Sequence, residues 1–269
     1  MPRLPSFTAL RYVEPLREGG SLPAMVDTDG GLFVVKFRGA GQGPRALVAE
    51  LLVGMLAQEA GLPVPELALV EVPEPFGRSE PDPEIQDLLR ASHGVNVGLR
   101  YLDGAFNFAP APAGHLVTPE LAARLVWLDA FLTNPDRTAR NTNLLVWEGG
   151  LWLIDHGAAL YAHHDWARVD EARVRAPFPL VRDHVLLSAS GDLAAADRWM
   201  ADRISPEVVD AAVAALPAAL LPPDADEERA RYRGYLRARL AAPRAFVDEA
   251  VAAHARALAG PAPRLSARR

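Results

Sequence analysis

The chain has 269 residues, half of them hydrophobic and 23% charged, and its 28 basic against 34 acidic residues leave a formal charge of −6. That composition excludes global disorder and argues against indiscriminate binding to a nucleic-acid backbone. No apolar run reaches the ~18 residues of a membrane helix, Met1-Pro2-Arg3-Leu4-Pro5 lacks the apolar stretch of a signal peptide, and the absence of cysteine removes disulfides, thiolate metal sites and a cysteine nucleophile. The expectation is a cytoplasmic protein with no membrane association.

Taken in chain order, the first informative residue is Lys36, the single lysine of the sequence. Arginine serves almost everywhere else, and a compact ammonium is retained where a planar fork does not fit, as in a narrow site that clasps phosphate oxygens. The run Gly31-Leu32-Phe33-Val34-Val35-Lys36-Phe37 follows the turn signal Asp29-Gly30 and reads as a strand with Lys36 inside it. Gly39-Ala40-Gly41-Gln42-Gly43 then leads through Pro44 into a helix over Ala46–Ala57, with Gly61 as its C-terminal stop. Glu50 is the one charge in that stretch, and an apolar helix face around a carboxylate requires a cation. A strand lysine followed by a glutamate on the next helix is the pair that fixes the nucleotide-binding lysine of protein kinases. Val72 to Pro83, acidic and proline-rich, reads as a surface excursion, and Asn96–Leu102 alternates like a strand and is the candidate hinge for an adenine ring.

Thr118-Pro119-Glu120 reads as an N-cap, a first-turn proline and an early acid opening a helix to about Phe131. After Asn134-Pro135 comes Asp136-Arg137-Thr138-Ala139-Arg140-Asn141, an aspartate with an asparagine five residues on, as in the kinase catalytic loop. Leu144–Trp147 and Leu151–Ile154 flank Glu148-Gly149-Gly150, a three-residue hairpin loop, and the second strand runs into Asp155-His156-Gly157. Phosphoryl transfer needs an acceptor for the incoming hydroxyl's proton, for which Asp136 is the candidate, and oxygen ligands for magnesium, which Asn141 and, across the hairpin, Asp155 can supply.

The remaining pattern is helical, with Ser205-Pro206 and Asp224 as caps and a basic tail over residues 261–269. A Walker phosphate loop is excluded because Lys36 is followed by Phe37, and Pro44 stands where a dinucleotide fingerprint needs its third glycine. His163-His164-Asp165 reads as surface rather than as a metal site, and the arginine-rich stretch Arg229–Arg244 as a solvated amphipathic helix with no strong nucleic-acid signal.

The segments Val34-Val35-Lys36-Phe37, Pro135–Asn141 and Leu153-Ile154-Asp155-His156-Gly157 resemble the HipA-like kinase family, and most closely its short single-domain bacterial proteins, over about residues 10 to 190. The resemblance implies an α+β, two-lobed protein-kinase-like fold. A small antiparallel β N-lobe with one long helix (residues 1–98) would bind nucleotide. A larger, mainly helical C-lobe containing the catalytic β-hairpin (99–260) would follow. It implies ATP and Mg2+, with transfer of the γ-phosphate to a hydroxyl, foremost a protein Ser/Thr. Lys36 would hold the phosphates, paired with Glu50; Asp136 would be the catalytic aspartate; Asn141 and Asp155 would bind the metal. Gly19, Gly20 and Ser21 would cover the phosphates, although Glu18-Gly19-Gly20-Ser21-Leu22 departs from Gly-x-Gly-x-x-Gly. His156 stands where ordinary kinases have phenylalanine. Full-length HipA toxins carry a further N-terminal subdomain, so an antitoxin partner is not implied. A regulatory pseudokinase and a small-molecule kinase stay open as alternatives.

Overall fold

The computed structural model describes residues 4–16, 22–78 and 80–260. Its first half is built by strands rich in β-branched and aromatic residues: β1 (Ser6–Pro15), β2 (Ala24–Thr28), β3 (Gly31–Lys36), β4 (Leu67–Val72) and β5 (Gly94–Arg100). They form a closed barrel in the order β1-β2-β3-β5-β4. The expected antiparallel sheet is therefore corrected in one pairing, because Ser6–Thr8 of β1 run parallel to Leu69–Glu71 of β4. A parallel pair needs a long crossover, which the intervening chain supplies, and closure leaves fewer unpaired strand edges.

Alternation along β3 sends Phe33 and Val35 into the barrel interior with Ala24, Val26 and Val70, and turns Lys36 to the outer face. There Lys36 lies opposite Val97 of β5, which packs in the cluster that also holds the buried side of helix α1 (Gly43–Glu59). Every residue of α1 from Ala46 to Ala57 is buried. Its close approach to β4 depends on Gly54, where a Cβ would come within 2.6 Å of Leu67. Gly61, at φ +68°, ends the helix in a left-handed turn, with N–H bonds from Gly61 to Gln58 and from Leu62 to Ala57, each 2.9 Å. A second helix, α2 (Pro83–Ala91), was not expected; Asp82 caps it by accepting from Glu84 N–H at 2.9 Å.

The second half comprises α3 (Pro110–Ala113), α4 (Pro119–Phe131), α5 (Glu171–Val174), α6 (Leu193–Arg203), α7 (Pro206–Ala214), α8 (Ala225–Leu240) and α9 (Ala245–Ala259). Between them lies a three-stranded sheet of β6 (Phe106–Asn107), β7 (Leu144–Trp147) and β8 (Gly150–Leu153). Thr118 caps α4 as its sequence requires, accepting from Leu121 N–H at 3.2 Å. Trp127 and Phe131 of α4 pack on Phe246 of α9 with ring centroids 5.4 and 5.8 Å away. One apolar cluster runs from α1 through α4 to α9. The β7–β8 hairpin loop has two residues rather than three: Trp147 pairs with Gly150, and Glu148 and Gly149 both take positive φ, the twist that matches a tight hairpin. Among the described residues no helix is long and apolar enough to cross a membrane.

Two surface expectations are corrected by burial. Arg239 of α8 is 3% exposed, and its guanidinium donates to the carbonyls of Ala130, Phe131, Val174 and Ala176, so it caps the C-terminal end of α4 instead of facing water. His163 is fully buried with its Nδ1 2.9 Å from Tyr232 Oη. Burial first, then the positive fields of His164 and Arg45, pushes the His163 pKa down to about 3.

Arg239→Met should destabilise the fold by about 3 kcal/mol, because buried carbonyls lose their donor, and Arg239→Lys by less, both read from denaturant unfolding. His163 gives a second prediction. The unfolded histidine binds its proton near pH 6.5 and the folded one does not, so stability falls by up to about 1.4 kcal/mol per unit as pH drops through this window toward 3. His163→Gln should remove about one proton's worth of that slope between pH 6.5 and 5.

Candidate active site

Lys36 is positioned by β3 and reached from two directions. Its Nζ lies 2.7 Å from Glu50 Oε2 on α1 and 2.6 Å from Asp155 Oδ1 just beyond β8. Lys36 is 7% exposed and Glu50 is fully buried, whereas the Asp155 side chain keeps 36% of its surface open. Burial alone would lower the lysine's pKa; the charges of Glu50 and Asp155 and their hydrogen bonds outweigh it and hold the ammonium above the ordinary lysine value. Burial would likewise raise Asp155, and the Lys36 ammonium prevails and holds it below the usual carboxylate range. Glu50 Oε2 also accepts the His156 backbone N–H at 2.7 Å, so one carboxylate fixes both the lysine and the segment carrying Asp155. Asp155 itself sits at φ +54°, a left-handed conformation that a non-glycine residue adopts only when its surroundings hold it there.

The Asp136 loop is organised from below by Asp129 of α4. The Asp129 carboxylate accepts from Asn134 Nδ2 (2.9 Å), Arg137 Nε (2.6 Å) and His184 Nε2 (3.0 Å). His184 is set as that donor because its Nδ1 accepts the Leu186 N–H at 3.1 Å. Burial would raise the Asp129 pKa, but the Arg137 guanidinium and the His184 hydrogen bond hold it far below the usual range. Arg137 is 1% exposed and also donates to the carbonyls of Asn143 and Ile154 and to His156 Nδ1. Above this buried layer, Asp136 Oδ2 accepts from Asn141 Nδ2 at 2.8 Å and Asn143 Nδ2 at 3.1 Å, and the same Asn143 amide lies 3.4 Å from the Asp155 carbonyl. Hydrogen bonds thus run unbroken from Glu50 through Lys36, Asp155 and Asn143 to Asp136 and Asn141.

Lys36, Glu50, Asp136, Asn141 and Asp155 are therefore brought together, while Gly19, Gly20 and Ser21 lie outside the described residues. Within Asn96–Leu102, the segment expected to meet an adenine ring, most backbone groups are already paired. Through Arg100 the β5 backbone is engaged by β3 and β4, and Tyr101 N–H bonds Leu32 C=O at 3.0 Å. Among the described residues, the Tyr101 carbonyl and the Leu102 N–H are the first backbone groups left for a ligand ring. The arrangement offers an ammonium for anionic oxygens, a carboxylate whose Oδ1 has no hydrogen-bond partner among the described residues, and amide and carboxylate oxygens at its open side.

A sequence model of the HipA-like kinase family matches residues 13–176. The chain belongs to that family. The matched span contains all five of these residues, and membership places the protein among kinases. Its fold is similar to that in the crystal structure of a Helicobacter pylori proinflammatory kinase, CtkA, with a TM-score of 0.59 over 95% of this chain and 98% of that one at 13% identity, a likeness of fold. A comparison with curated protein sequences gives no match.

Sequence reasoning passed over four residues of this HipA-like kinase site: Asp129, Arg137, Asn143 and His184. Asp129 had a usable signal, since it is the sole charge in Leu125–Leu132, the same feature that marked Glu50. His184 had none, being placed by a distant segment whose Thr138–His184 bridge is visible only in three dimensions. Asp129→Ala should destabilise the protein by about 3–5 kcal/mol in urea unfolding, because it leaves the buried Arg137 charge uncompensated.

Proposed function

We propose that this HipA-like kinase transfers the γ-phosphate of ATP, with Mg2+, to a hydroxyl, foremost a Ser or Thr of a protein in the cytoplasm. In this reading the barrel with α1 and α2 (residues 1–98) and the helical remainder (99–260) are two lobes clasping the nucleotide. The observation that carries it is the meeting of Lys36 and Asp155, 119 positions apart, at 2.6 Å beside the Asp136 loop. A buried ammonium tied to an acid on another segment is what a polyphosphate and its counter-ion require on opposite sides.

Each residue then has a separable role. Lys36 binds and orients the phosphates, held by Glu50. Two asparagine amides converge on Asp136 Oδ2, which orients the carboxylate and leaves Oδ1 to take the proton of the acceptor hydroxyl. The donor set for a metal fits magnesium: the Asn141 side chain binds Asp136 through its nitrogen, leaving its oxygen available, and Asp155 adds a partly open carboxylate. Among the described residues no three His, Asp or Glu side chains gather to cage a metal, in keeping with an ion that takes its other ligands from phosphate and water. When bound, it would neutralise phosphate charge. The Tyr101 carbonyl and Leu102 N–H would face the adenine edge, and Gly19, Gly20 and Ser21 remain the proposed cover for the phosphates. Leu16 N–H donates to Pro23 C=O at 2.8 Å, so the described chain on either side of them is held together.

ATP should raise the melting temperature in a magnesium-dependent manner. Asp136→Asn should cut γ-phosphate labelling of the chain or of a lysate protein by 10²-fold or more while keeping Mg·ATP binding within about threefold. Asp155→Ala should lose the magnesium dependence itself. Binding without any labelling would favour the pseudokinase.

A further inference from the structure

Phosphoryl transfer spreads negative charge over the oxygens of the group in flight, and apart from Lys36 and the magnesium proposed above no side chain of the proposed machinery brings positive charge to meet it. Lys36 stands against three carboxylates, Glu50 and Asp155 in direct contact and Asp136 on the adjoining loop. Arg137, next to Asp136, cannot turn toward a ligand: it is buried, four of its five N–H groups are committed to Asp129, the loop and His156, and its charge is balanced by Asp129. His184 donates to the same Asp129. Arg45, at the start of α1, is tied to the His164 carbonyl at 3.0 Å.

Arg140 differs from all of these. It lies at the tip of a turn closed by Thr138 N–H to Asn141 C=O at 2.9 Å, between Asp136 and the asparagine whose amide returns to the Asp136 carboxylate at 2.8 Å. It is exposed, and among the described residues no carboxylate or carbonyl engages its guanidinium. Among the described residues the fold makes no use of a cation there. The chemistry does, since a planar fork can span two oxygens of a phosphoryl group as an ammonium cannot.

We propose that Arg140 is a catalytic residue, its guanidinium closing on the oxygens of the γ-phosphoryl group as it passes from ATP to the acceptor. The inference rests on the kinase reading of this site. As the bond from the γ-phosphorus to the β–γ bridging oxygen breaks, the acceptor oxygen bonds to that phosphorus. The acceptor's proton goes to Asp136, ADP leaves with the bridging electrons, and Arg140 stays protonated throughout. Its contact strengthens with the charge on the transferring oxygens, so it acts on the transition state more than on bound ATP.

The test uses the full chain and needs no identified acceptor. Mg·ATP binding is compared with binding of Mg·ADP plus aluminium fluoride, a mimic of the group in flight, in wild type, Arg140→Ala and Arg140→Lys. The expectation is that Arg140→Ala binds Mg·ATP within about threefold of wild type and loses about 100-fold for the fluoride complex, with Arg140→Lys recovering part of it. Equal losses for both ligands, or no loss for either, overturn the role of Arg140 and leave the kinase reading standing. A wild-type chain that fails to bind Mg·ATP overturns the kinase reading, and this proposal with it. Arg140 is exposed, so matched thermal melts of the three proteins are expected to show that folding is unchanged.

Discussion

A buried ammonium held between two carboxylates from different parts of the chain is the constraint on which the site depends. An unpaired charge inside a protein costs several kcal/mol, so β3, which carries Lys36, is stable in place only when α1 delivers Glu50 and the strand end after β8 delivers Asp155. The pairing ties barrel to helical half alongside the apolar cluster that joins them. Glu50 tightens this coupling because its Oε2 accepts from both the lysine and the His156 backbone. Displacing α1 by the length of a hydrogen bond would release both at once.

The second buried ion pair has a different task, and the contrast lies in water access. Arg137 and Asp129 have side-chain exposures of 0% and 2%, and the remaining acceptors of Arg137 are backbone carbonyls and an imidazole, so the guanidinium is closed off from a ligand arriving from solvent. That pair shapes the loop. Lys36 and Asp155 meet where one partner is a third exposed, and a charge held at an open edge is available to something that enters from solvent. Asn143 joins the two layers: its carbonyl belongs to the Arg137 network, while its amide reaches Asp136 and Asp155.

What could be read from the sequence followed from how local its cause is. Thr118 and Pro119 open α4 through contacts within one turn, Gly61 ends α1 within one turn, and Lys36, Glu50, Asp136, Asn141 and Asp155 stand out as polar residues in apolar or turn contexts. Features that depend on a distant segment were not legible. Closure of the barrel needs β1 and β4 to meet across about sixty residues, and nothing in Ser6–Thr8 states that partner. Alternation over Asn96–Leu102 marks a strand without saying that neighbours on both sides consume its backbone groups through Arg100. Arg239 read as solvated because its acceptors are carbonyls, which every sequence has and no sequence pattern singles out. His163 read as surface for the related reason that Tyr232, its partner, lies sixty-nine positions away.

The acceptor count around each buried cation also explains why the chain's single lysine stands at position 36. Arg137 and Arg239, buried as deeply, each find four acceptors for their fixed fans of N–H groups. Around Lys36 the protein offers two carboxylate oxygens, one from Glu50 and one from Asp155, with Val97 beside it on β5. A guanidinium there would bury N–H groups with nothing to receive them, at about 1–3 kcal/mol for each unsatisfied group. An ammonium has three donors, and two are taken. The third is left for an oxygen that the described residues do not supply, and a phosphate brings oxygens of that kind.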